Sequence, residues 1–143
     1  APFNKAHPES YLFVVGGYGE AFEALRTRIE ECGCGSIILI KSISNPYPIL
    51  NGCDAFILSS RYEGLPMTIM EALILNKPVI STDIPGPAEF LRETGCGLLV
   101  EDSTEGVLDG LNAIYDGRLT ELSAFDAEGF NKQAMEEFYN LIK

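Results

Sequence analysis

The sequence predicts an α/β fold, an open doubly wound layer in which a parallel sheet carries helices on both faces. Short apolar runs alternate along the chain with longer amphipathic segments, the pattern of repeated β-α units. The amphipathic segments repeat apolar residues at helical spacing and are punctuated by glycine, so each presents one buried face and then stops. At 143 residues and 15.6 kDa the chain has the size of a single domain, 1–143. Hydrophobic residues at 46% and charged residues at 22% exclude the disordered, collagenous and coiled-coil classes.

The first strand is read over Tyr11 to Val15, and Gly16-Gly17-Tyr18-Gly19 breaks the run. A helix follows with Phe22, Leu25, Ile29 and Cys32 on one face, stopped by Gly33 and Gly35. Further strands are read over Ser36 to Ile40, Asp54 to Leu58, Pro78 to Ser81 and Gly97 to Val100. Asp102 with Glu105 three residues on reads as a capping pair for a helix whose face is Val107, Leu108, Leu111, Ile114 and Tyr115, and Gly117 ends it. A last helix aligns Phe130, Ala134, Phe138 and Leu141. Neither an internal repeat nor a linker is visible. In such a layer ligands sit beyond the carboxyl ends of the strands, here Gly16 to Glu20, Lys41 to Asn51, Ser59 to Thr68 and Thr82 to Glu89.

Charge and composition remove several classes of function. Ten basic residues against 21 acidic ones give a net charge of -11 and a pI near 4.4, the wrong sign for a nucleic-acid partner. Most of the acidic excess falls after residue 75, as a solvated surface. No apolar run approaches the roughly 20 residues that span a bilayer. The opening Ala1 to Ser10 lacks the charged-then-apolar order of a signal peptide, so a soluble, unprocessed chain is expected. Cys32, Cys34, Cys53 and Cys96 form no C-x-x-C pair and lie far in sequence from the single histidine, His7, so no metal site is expected. Cys53 and Cys96 read as small core residues in a reducing cytosol, and no base stands beside a thiol to make a nucleophile.

Two segments can carry chemistry. Gly16-Gly17-Tyr18-Gly19 follows a strand and opens a helix, so bare backbone could approach a phosphate or sugar; a plain tight turn explains it equally well. It fails the dinucleotide fingerprint, because Phe22 stands where a small third residue is required. Ser59-Ser60-Arg61-Tyr62-Glu63-Gly64-Leu65-Pro66-Met67-Thr68-Ile69-Met70-Glu71-Ala72-Leu73 says more. A helix is expected to start near Pro66, with its free N–H groups and positive dipole end over the sheet edge, where a diphosphate fits. Glu63 just before that end and Glu71 just inside it would oppose phosphate by charge, but they accept hydrogen bonds from ribose and hexose hydroxyls. That chemistry fits a nucleotide sugar. An arbitrary Glu pair of this kind is more often a solvated helix residue and a dipole partner.

The separation of Glu63 and Glu71 in S-S-R-Y-E-G-L-P-M-T-I-M-E-A-L resembles the E-x7-E motif of the glycosyl transferases group 1 family, retaining enzymes of GT-B fold. The strand and glycine turn of Tyr11 to Glu20, Asn45-Pro46-Tyr47-Pro48, Lys77 to Asp83, Gly86-Pro87-Ala88-Glu89 and Gly95 to Val100 resemble further family motifs in family order, over about residues 4 to 115. Phe125-Asp126 to Phe138-Tyr139 is similar to the tail of bacterial polysaccharide-type members. The resemblance implies a Rossmann-like, carboxyl-terminal half of a GT-B fold that binds a UDP- or GDP-type sugar donor without a metal or other cofactor. By it, Glu71 would bind the ribose, and Glu63 would hold donor-sugar hydroxyls at the reacting carbon. Backbone N–H groups around Gly64, Leu65 and Thr68 would meet sugar and diphosphate, Gly17 would approach the donor, and Ile43 would read the base.

The resemblance also implies transfer of a hexose-type sugar to a polysaccharide or glycolipid by front-face departure and return. Glu63 would then act by position rather than by attack. The family's donor half opens with a strand and loop whose Arg and Lys neutralise the diphosphate, and Arg61 and Lys77 do not stand at those positions. The expected picture is a domain truncated at its amino-terminal βα unit, paired in the full enzyme with an acceptor-binding amino-terminal domain and inactive alone. Cytoplasmic location is expected, with membrane contact only through the full-length protein. Two other readings stand beside this one. A non-catalytic α/β binding or interaction module keeps the layer without the chemistry. A glycoside hydrolase using Glu63 and Glu71 is disfavoured if both are helical, since eight residues then separate them by about 12 Å.

Overall fold

The computed structural model describes residues 2–17, 19–118 and 124–141. The chain divides into two compact units, Ala1–Ile49 and Leu50–Lys143, and each builds parallel strands flanked by helices.

In the first unit α1 (Pro2–Ala6) precedes β1 (Leu12–Val15), α2 (Glu20–Cys32) and β2 (Ile37–Ile40). β1 and β2 pair in parallel with Leu12 opposite Ile37 and Val15 opposite Ile40. The ladder continues one step into the glycine turn, where the Gly16 amide donates to the Ile40 carbonyl at 2.9 Å. Gly33 ends α2 in the left-handed conformation at φ 62°, as the sequence predicts. The predicted face of α2 is only partly covered: Phe22 and Ile29 are half-buried, whereas Leu25 and Cys32 are exposed. A parallel pair of four-residue strands offers too little area to bury a full helical face.

α3 (Tyr47–Gly52) begins with the Asn45 side chain accepting from the Tyr47 amide at 3.1 Å. The second unit then runs β3 (Phe56–Leu58), α4 (Met67–Ile74), β4 (Val79–Thr82), α5 (Pro87–Thr94), β5 (Leu98–Val100), α6 (Thr104–Tyr115) and α7 (Ala127–Leu141). Its strands pair in parallel in the order β3-β4-β5, so β4 is central and all four of its residues are buried. Successive side chains on a strand point to opposite faces. Val79 joins the cluster of Ile69, Met70, Ala72 and Leu73 from α4 with Phe90 and Leu91 from α5, whereas Ile80 faces α6. Both faces of the sheet therefore carry helices, as predicted.

α6 reaches the sheet by a different route from the one its apolar spacing suggests. Its buried residues are Gly106, Gly110 and Ala113, whereas Val107, Leu108, Leu111 and Ile114 are half-buried. A Cβ on Gly110 would lie 3.0 Å from Ile80 Cγ2 and from Val100 Cγ1, so glycine sets how closely helix and sheet approach. The cap is also displaced by one residue from the expected Asp102: the Ser103 hydroxyl accepts from the Gly106 amide at 3.0 Å. α7 departs further from expectation. Phe130 packs with Phe125 and Phe90 at ring separations of 5.6 to 5.7 Å, but Ala134, Phe138 and Leu141 are exposed. Among the described residues only the first turn of α7 reaches the core, and the rest of its apolar stripe is exposed.

Candidate functional site

The carboxyl end of β3 leads through an eight-residue loop, Ser59 to Pro66, into α4. Pro66 is buried and occupies the N-cap with φ -81°, one position before the helical start predicted for it. Its carbonyl accepts from the amides of Ile69 at 3.0 Å and Met70 at 3.2 Å, and the Met67 amide donates to the Leu65 carbonyl at 2.9 Å. The amides of Gly64, Leu65 and Thr68 donate to no acceptor among the described residues. These three lie where the positive end of the α4 dipole faces solvent, the arrangement that receives an anion. Gly64, Leu65 and Thr68 are all exposed.

Glu63 is exposed on this loop, and its Oε1 accepts from the Ser60 hydroxyl at 2.9 Å. With Arg61, Tyr62, Gly64 and Pro85 it lines an open depression of about 320 Å³. Arg61 also borders a second depression of about 640 Å³ with Ser59, Thr82, Asp102, Ser103, Thr104 and Val107. Glu71 stands on the second turn of α4, half-buried and flanked in sequence by the core residues Met70 and Ala72. The structure thus brings Glu63 and Gly64 into one depression, whose lining does not include Glu71. Because Glu63 precedes α4 by four residues, the fully helical separation that disfavoured a hydrolase does not apply.

Gly17 and Ile43 belong to the first unit. Gly16, Gly17 and Gly19 all have φ near 100°, a region that L side chains rarely adopt, so the turn alone requires these glycines. A Cβ on Gly17 would lie 3.3 Å from the Phe22 ring, which confirms that Phe22 occupies the space behind this loop. Tyr18 lies outside the described residues. Ile43 is half-buried in the irregular segment after β2.

Sequence reasoning did not single out Ser60, Thr82 or Gly86, each of which fixes the Glu63 loop. The Thr82 hydroxyl donates to the Ser60 carbonyl at 3.2 Å from the buried end of β4. Gly86, at φ 83° before α5, lies against the Glu63 and Gly64 carbonyls. Among the described residues no group of three or more His, Cys, Asp or Glu is placed to hold a metal, and no helix is long and apolar enough to cross a membrane. None of the four cysteines forms a disulfide.

In a parallel α/β unit ligands are expected beyond the carboxyl ends of the strands, where these open amides and Glu63 lie. Comparison with known proteins makes that expectation specific. The family model for glycosyl transferases group 1 matches residues 2–127, and the chain belongs to that family. It is 33% identical over 128 residues to the Escherichia coli O-antigen biosynthesis glycosyltransferase WbnH, covering 90% of this chain and 33% of WbnH. Among solved structures, Anabaena Alr3699/HepE in complex with UDP superimposes with TM-score 0.74 at 20% identity, over 98% of this chain and 46% of that one. The pneumococcal O-GlcNAc transferase GtfA in complex with UDP and GlcNAc gives TM-score 0.71 at 25% identity, over 99% of this chain and 30% of GtfA. The fold is the Rossmann-like one of GT-B glycosyltransferases. The chain spans less than half the length of each of these relatives.

Proposed function

We propose that this chain is the donor-binding part of a retaining glycosyltransferase that passes a hexose-type sugar from a nucleotide diphosphate to a polysaccharide or glycolipid acceptor. The observation that carries the reading is the Ser59 to Pro66 loop, which carries Glu63 into one depression with Gly64 and leads into the α4 start, where the amides of Gly64, Leu65 and Thr68 are open. The donors receive the diphosphate and stabilise charge as it develops on the leaving group. Glu63 accepts from hydroxyls of the sugar, holding the reacting carbon in place, and Glu71 accepts from the ribose. Gly17 and Ile43, in the other unit, keep the donor-loop and base-reading roles that the family resemblance implies. The binding of UDP by GtfA and the part of WbnH in O-antigen biosynthesis support a sugar-nucleotide donor and a cell-surface acceptor. An amino-terminal acceptor-binding domain completes the enzyme, which works at the cytoplasmic side without a metal.

Calorimetric titration of the chain with UDP, GDP and ADP sugars tests the reading. One base class is expected to bind, and Glu71→Ala is expected to weaken that binding by about tenfold or more, the scale of a charge-assisted hydrogen bond. Failure of the folded chain to bind any of them contradicts it.

A further inference from the structure

Glu63 is exposed, yet its carboxylate is tethered. Oε1 accepts from the Ser60 hydroxyl at 2.9 Å, across three residues of the same loop. The loop is gripped at both flanks of Glu63. On one side the Ser60 carbonyl accepts at 3.2 Å from Oγ1 of Thr82, a residue 2% exposed at the end of the central strand β4. On the other, Gly86 lies so close that a Cβ there would overlap the Gly64 carbonyl oxygen and lie 2.9 Å from that of Glu63. Ser60 and Gly64 are therefore both referred to the β4–α5 end of the sheet, and Glu63 is suspended between them.

We infer that Ser60 is the positioning residue for Glu63, and that the Gly86 turn is the buttress that keeps the loop in register. The inference rests on the donor-binding reading above and names what orients its carboxylate. With Oε1 engaged by Ser60, Oε2 is left to accept from a hydroxyl of the donor sugar. A side chain ordered before the ligand arrives loses less rotamer freedom on binding than one that is not. The consequence is selective: Ser60 should strengthen recognition of the sugar and leave that of the diphosphate alone. A serine that merely shapes the turn would affect both together.

Two measurements on the chain test this. The first needs no ligand. Carbon-detected NMR of the Glu63 carboxylate is expected to show a changed resonance in Ser60→Ala and recovery in Ser60→Thr; an unchanged Glu63 signal in Ser60→Ala overturns the inference. The second compares UDP-glucose and GDP-mannose with UDP and GDP. Ser60→Ala should weaken the sugar nucleotide that binds by roughly threefold to tenfold, the scale of one hydrogen bond, with its diphosphate unaffected and Ser60→Thr restoring the difference. An equal loss on both ligands, or no loss where Glu63→Ala does lose the increment, overturns the positioning role and leaves the donor reading standing. If neither Glu63→Ala nor Ser60→Ala changes the sugar increment, the donor role of Glu63 falls, and the NMR result still decides whether Ser60 holds it.

Discussion

Gly86 packs directly on the backbone of Gly64: a Cβ at residue 86 would overlap the Gly64 carbonyl oxygen, and its φ of 83° already disfavours any side chain. This contact joins the turn before α5 to the loop before α4, so the helix start that offers open amides is braced by the neighbouring βα connection. The glycine is required twice over, by conformation and by space.

Gly86→Ala is therefore expected to destabilise the chain by about 1–3 kcal/mol, since backbone strain and displaced carbonyls add. Gly35→Ala provides the control, because Gly35 has neither a positive φ nor an atom within 4 Å of its Cβ position. Urea denaturation of the two variants checks the contrast. Equal midpoints would show that the Gly86 contact is dispensable.

The cap of α6 gives a second test. Ser103→Ala removes the side chain that accepts from Gly106 and should cost about 1 kcal/mol. Asp102→Ala, one residue earlier, should cost a few tenths at most, because Asp102 is exposed and is not the cap. Chemical denaturation of both variants distinguishes the observed cap from the capping pair expected from sequence.

Thiol reactivity follows from position and charge. Hydrogen bonding with Cys32 holds the Cys34 thiol below its ordinary value, whereas burial and the charge of Asp54 push the Cys53 thiol up. The thiolate is the nucleophile, so at any pH below the ordinary thiol value Cys34 carries the larger reactive fraction. Iodoacetamide with mass-spectrometric mapping at pH 7 should label Cys34 before Cys53, and buried Cys96 last. The gap between Cys34 and Cys53 should narrow as pH rises through the thiol range.

Strand positions were legible in the sequence to within two residues, because short apolar runs bounded by turn residues have few alternatives in an α/β pattern. The loop before α4 was legible as well, from Pro66 and the two acids around it. α6 was misread because apolar periodicity counts large side chains, while its approach to β4 and β5 is set by Gly110, and the buried Gly106 packs on the Glu101 backbone. α7 was misread because a stripe of Phe130, Ala134, Phe138 and Leu141 looks the same in sequence whether one turn or four is covered. Ser60 and Gly86 stand in motifs visible in the sequence, but their roles were not legible: Ser60 meets Glu63 only in the turn this loop adopts, and Gly86 meets Gly64, 22 residues away, through a contact that the fold creates.

The central claim is that Glu63 and Glu71 divide one donor between them, sugar to the first and ribose to the second. It is tested most directly by titrating Glu63→Gln and Glu71→Gln with the bound nucleotide sugar and with its nucleoside diphosphate alone. The account predicts that Glu71→Gln weakens both ligands by the same factor, about tenfold for a lost charge-assisted hydrogen bond, and that Glu63→Gln weakens only the sugar nucleotide. Two variants that bind both ligands as the parent chain does would contradict it.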